Sequence, residues 1–126
     1  MKLEKRIYVV LPATVEVGRD KYVTQPEGRQ VAQACHVVSK LRIGGSVYAV
    51  HPFKPITTII LACRDSKELV HVYSILTMKH LSPVLFSDEN EGAYGNFKPI
   101  TALAVYATPT QVFRTLDYLP LWGSNA

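Results

Sequence analysis

Apolar positions along the chain alternate between two spacings, and each spacing predicts a different element. Ile7 to Leu11 is an unbroken β-branched and aromatic run that meets Pro12, as expected of a strand covered on both faces. Ala13 to Glu27 loses all periodicity and reads as a loop. From Gly28 the spacing becomes three and four: Val31, Ala34/Cys35, Val38 and Leu41 form one helical stripe that stops at Gly44-Gly45. Ser46 to Pro55 carries two prolines and reads as an irregular connection. Thr57 to Cys63 predicts a second buried strand. Asp65 with Glu68 three residues on then makes a capping box for a helix burying Leu69, Val72/Tyr73 and Leu76.

Val84-Leu85-Phe86 predicts a short third strand, Ser87 to Asn96 an acidic, glycine-bearing loop, and Thr101 to Ala107 a fourth strand. Thr108-Pro109-Thr110-Gln111 has the N-cap, N1 proline and N3 glutamine of a helix start, with Val112/Phe113, Leu116 and Leu119 as its buried stripe. Phe53 to Thr57 recurs word for word as Phe97 to Thr101, each time before a buried strand, without further repetition around it. Buried strands interleaved with amphipathic helices predict a three-layer α/β domain on a largely parallel sheet, with one antiparallel member allowed by the short third connection. Ligands on such a sheet are expected at the carboxyl ends of its strands: Pro12 to Gly28, Arg64-Asp65 and Ser87 to Asn96.

The 126 residues, 48% apolar and 19% charged, suit one globular domain over 1–126 and exclude a disordered chain. No apolar run approaches the roughly 20 residues of a bilayer crossing, and the basic start lacks a signal-peptide apolar core, so a cytoplasmic location is expected. Cys35 and Cys63 lie within apolar stretches without CxxC spacing and read as reduced core residues. A net charge of +4, from 14 basic and 10 acidic residues, permits an anionic partner without requiring one.

The arrangement of those charges is more informative. Arg29, Gln33, His36 and Lys40 are spaced four, three and four apart, so they share one face of the first helix. Arg29 falls in the first turn, where a cation opposes the helix dipole. Such a cation calls for an anionic ligand, or for a partner such as Asp88 or Glu91; a solvated polar face is the plain alternative.

Gly28-Arg29-Gln30-Val31-Ala32-Gln33-Ala34-Cys35-His36, placed after Ile7-Tyr8-Val9-Val10, resembles the Gly-Lys-x-Ala-Ala-Gln-x-x-His signature of the type II peptidyl-tRNA hydrolases. Thr58 to Leu61, Ser66 to Leu69, Leu81 to Pro83 with Asp88, and Thr101 to Pro109 follow that family's order of elements. The resemblance implies a three-layer α/β/α sandwich on a four-stranded mixed sheet, and hydrolysis of the ester joining a peptidyl group to tRNA. It carries the family's helix-start lysine to Arg29, its glutamine to Gln33, its histidine to His36 and its loop aspartate to Asp88. Those four are the expected catalytic residues, with the tRNA acceptor end held through Arg29, His36 and Lys40. Water attack on an activated ester requires no metal and no covalent nucleophile, the sequence holds no motif for either, and no cofactor is expected.

The departures fall on the same region. Arg29 stands where the family has lysine, Gly92 comes two positions late in the loop after Asp88, Glu89 and Glu91 add negative charge, and Pro12-Ala13-Thr14 replaces the family's Arg-Asp-Leu. The alternative is therefore a non-catalytic member that binds RNA, a nucleotide or a protein. Leu119, Leu121 and Trp122 are candidates for the apolar surface of a homodimer.

Overall fold

The computed structural model describes residues 4–43, 46–47, 56–88 and 97–124. β1 (Arg6–Gly18) is the axis of a five-stranded sheet. Its first half pairs in parallel with β5 (Thr58–Asp65) on one side and antiparallel with β7 (Ile100–Ala107) on the other. Its second half turns back into β2 (Lys21–Thr24) as a hairpin, with Asp20 in the left-handed region at the turn (φ 57°). β6 (Val84–Ser87) extends the sheet antiparallel to β7. Two-residue strands β3 (Arg42–Ile43) and β4 (Ser46–Val47) pair separately.

This corrects the expected three-layer α/β/α sandwich on a four-stranded mixed sheet. The sheet has five strands, three of its four pairings are antiparallel, and among the described residues only two α-helices form, α1 (Glu27–Ser39) and α2 (Ser66–Met78). Pro12 does not end β1. β7 accompanies β1 only as far as Val10, so Pro12, which has no N–H to donate, lies where that side of the ladder has ended. The strand then runs on into the stretch read as a loop.

The third expected helix is also absent. Thr108 and Gln111 do make the reciprocal capping bonds (Gln111 N to Thr108 Oγ1, 3.2 Å; Thr108 N to Gln111 Oε1, 2.9 Å). The chain beyond them closes mainly turns three residues long, and Arg114 is left-handed (φ 64°), which no continuous α-helix tolerates. Lys79 Nζ donates to the Phe113 carbonyl (2.9 Å), an acceptor that a helix would have used itself. Half of the capping box of α2 forms: Asp65 accepts from Glu68 N (2.9 Å), while the Glu68 carboxylate accepts from Arg64 N (2.9 Å), one residue before the N-cap.

Alternation along β1 and β7 divides the core between the two faces of the sheet. Tyr8, Val10, Leu103 and Val105 meet Leu69, Val72 and Leu76 of α2 and Val112, Leu116 and Leu119 of the turn segment. Ile7, Val9, Leu11, Ala102 and Ala104 meet Ala34 and Val37 of α1. Both faces being dry is why β1 reads as an unbroken apolar run. Residues 120–122 lie along the free edge of β5, with Ala62 N donating to Pro120 O and Trp122 N to Ile60 O, both at 2.9 Å. Of the apolar residues proposed for a dimer surface, Leu119 is buried and Trp122 half-buried; Leu121 alone is exposed, at 61%. The first copy of the repeated pentapeptide lies outside the described residues up to Pro55.

The cysteines differ from each other. Cys35 is exposed on the outer side of α1, which corrects its reading as a core residue, whereas Cys63 is buried. Burial, reinforced by Glu68 and Asp65, pushes the Cys63 thiol up to about 12. A thiol raised in the folded state contributes stability that is intact below its unfolded value and declines as pH climbs towards the folded one, so the native state should weaken above about pH 9. At pH 8 iodoacetamide should label Cys35 alone, with Cys63 reacting only after denaturation; peptide mass mapping reads this directly. Equal labelling of both in the native protein would contradict the packing of β5 against α2.

Candidate functional site

α1 lies against β6, and the polar residues of its stripe meet the strand one by one. Gln33 Nε2 donates to Asp88 Oδ2 (2.8 Å), and Arg29 Nη1 lies 3.8 Å from the same oxygen. The His36 ring stacks on Phe86 (centroids 4.9 Å apart, planes 17° apart), and Lys40 Nζ donates to the Leu85 carbonyl (2.7 Å). A helix turns once per 3.6 residues, so positions 29, 33, 36 and 40 fall in a row along the seam. The expected stripe is real, but it does not simply face solvent.

Asp88 follows β6 directly, and its backbone N–H donates to the Pro99 carbonyl (2.9 Å), which ties the start of the loop to the approach to β7. Its side chain is 9% exposed, against 36% for Arg29. The cation that opposes the helix dipole has thus found Asp88, one of the two partners its position called for. Pro26, Arg29, Ala32, Gln33, His36 and Asp88 line an open hollow of about 610 Å³. All four residues expected to be catalytic are therefore brought together. Lys40 is not among them: it projects at the far end of α1. Lys21 stands on β2 and does not line the hollow, while Glu89, Glu91, Gly92 and Lys54 lie outside the described residues.

Gln33 is 4% exposed, and its Oε1 is buried without a hydrogen-bond donor among the described residues. Leaving such an acceptor unsatisfied costs about 1–3 kcal/mol, which favours whatever brings it a donor. Chemically, the hollow offers a carboxylate held by an amide, a guanidinium beside it, and an imidazole fixed in orientation by an aromatic ring. Those groups can orient water and stabilise negative charge. Among the described residues no three His, Cys, Asp or Glu side chains gather as metal ligands.

Sequence reasoning missed three supports. Phe86 fixes His36. Gln30 donates through Nε2 to the Gln25 carbonyl (2.7 Å) and accepts from Trp122 Nε1 (2.7 Å), which fastens the start of α1 to the last turn of the chain. Phe86 was signalled by its place on β6 two residues before Asp88, but nothing local links Gln30 to Trp122. No helix among the described residues is long and apolar enough to cross a membrane. Neither protein-family models nor curated proteins match the chain.

Proposed function

We propose that the chain hydrolyses the ester between a peptidyl group and tRNA, in the manner of the type II peptidyl-tRNA hydrolases that it resembles. The observation that carries this reading is the meeting of Arg29, Gln33, His36 and Asp88 in one hollow. Asp88 takes a proton from the attacking water, whose oxygen bonds to the ester carbon. Arg29 stabilises the negative charge that develops on the carbonyl oxygen. The bond to the ribose oxygen then breaks, that oxygen takes up a proton, and free peptide and tRNA leave. Gln33 keeps the carboxylate turned towards the hollow. His36, stacked and exposed, flanks the acceptor end. A cytoplasmic location goes with this substrate.

One observation favours a second reading. Asp88 already accepts from Gln33 and pairs with Arg29, so the same cluster serves as a brace between α1 and β6 in a non-catalytic RNA-binding protein. Incubating the intact protein with N-acylaminoacyl-tRNA separates the two. Peptide release above background is expected, together with tRNA affinity that falls as salt rises, because cations that contact phosphates displace bound counterions. No release with salt-dependent binding would leave the second reading; no release and a flat salt response would remove tRNA altogether.

A further inference from the structure

A second hollow, of about 560 Å³, lies at the opposite end of the sheet, where β1 and β6 begin and β7 ends. Lys5, Lys40, Arg42 and His80 line it, with Tyr106 and Gln111, and among the described residues no acidic side chain does. Three formal positive charges thus converge from two separate parts of the chain: Lys5 from the approach to β1, and Lys40 with Arg42 from the end of α1 and the start of β3. Two of them are held in place. Lys5 Nζ sits over the Tyr106 ring, 5.4 Å from its centroid. Lys40 gives one N–H to the Leu85 carbonyl and keeps two more to donate. Neither ion pair recorded among the described residues, Arg29 with Asp88 and Arg64 with Glu68, involves any of the three. Lys40 and His80 follow the C-termini of α1 and α2, where a cation complements the helix dipole. That account does not extend to Lys5 or Arg42, which belong to no helix.

We infer that this hollow binds phosphate groups of an RNA backbone, at a distance from the ester site. The choice of RNA rests on the proposed function; the affinity for phosphate rests on the charges alone. Arg29 and Lys40 are eleven residues apart on α1, about 17 Å at a rise of 1.5 Å per residue. That span corresponds to about five nucleotides at a stacked rise of ~3.4 Å. A strand whose end lies at Arg29 therefore brings an inner phosphate to Lys40, Arg42 and Lys5. Contacts of this kind set register along the strand and carry no base specificity.

The test measures binding of an unesterified single-stranded RNA octamer, and of pyrophosphate, by the wild type, the Lys5→Ala/Arg42→Ala double variant, and the charge-conserving Lys5→Arg/Arg42→Lys variant. Because no ester is present, the outcome is independent of turnover. The alanine variant should bind the octamer about tenfold more weakly near 0.1 M salt, and the slope of log affinity against log salt should shrink by about 1.4, for two single-strand phosphate contacts. The charge-conserving variant should retain binding, and a matching thermal midpoint shows that the alanine variant is folded. Unchanged octamer affinity in the alanine variant would overturn the site. Pyrophosphate binding as tightly as the octamer would overturn its assignment to RNA and leave a small phosphorylated ligand. Loss of octamer binding in a protein that releases no peptide would uphold the site and remove only the esterase reading.

Discussion

Asp88→Asn should lower peptide release from peptidyl-tRNA by about 10²- to 10⁴-fold, the range that a positioned general base supplies. The substitution keeps the size and shape of the side chain. An amide oxygen can still accept from Gln33 Nε2, which now reaches the carboxylate at 2.8 Å. What disappears is the charge and with it the ability to take a proton from water. The 3.8 Å contact with Arg29 weakens as well, but at a partly exposed guanidinium this matters little for stability. The thermal midpoint should therefore stay close to wild type while turnover collapses, and tRNA binding should hold or strengthen as a negative charge leaves the hollow. A fully active Asp88→Asn protein would reduce Asp88 to a brace between α1 and β6.

The second large effect belongs to the segment after β7. Leu116→Ala should cost about 2–5 kcal/mol in urea unfolding, because this side chain is fully buried among Leu69, Val72 and Leu103, and its removal leaves a cavity as well as losing transfer energy. Leu121→Ala, exposed just beyond that segment where the chain runs along β5, should change stability by no more than about 0.5 kcal/mol. The contrast tests whether a stretch without regular secondary structure is a structural part of the core. Equal, small effects at both positions would mean that 108–119 is only loosely laid against the sheet.

That segment also shows why local signals had limited reach. Thr108 and Gln111 form the capping bonds that their residue types favour, yet a cap satisfies only the first turn and does not propagate the next ones. Burial of Val112, Leu116 and Leu119 is met equally well by turns, and Phe113, expected inside, is left 55% exposed. At the first hollow, Arg29, Gln33 and His36 were legible because helical spacing alone puts them in a row. Asp88 was legible only as the loop aspartate that the family resemblance supplies and as an acid able to meet the cation in the first turn of α1. Lys40 shares the row, yet the length of α1 carries it into the other hollow. Lys5, Arg42 and His80 carry no pattern in common, since they come from the approach to β1, from β3 and from the turn after α2, which only the fold brings to one hollow.

By itself the amino-acid sequence determined that the first half of β1 and most of β7 are dry on both faces, though not that β5, expected to be as buried, keeps only Leu61 and Cys63 inside. It also determined where α1 and α2 begin and which polar residues ride together on α1, because periodicity and capping act over a few residues. Tertiary structure decided strand direction, the persistence of β1 past Pro12 into a hairpin, the loss of a third helix, and which cations face which hollow. Backbone pairing joins residues far apart in the chain, and parallel and antiparallel neighbours bury the same alternating side chains, so local composition cannot distinguish them.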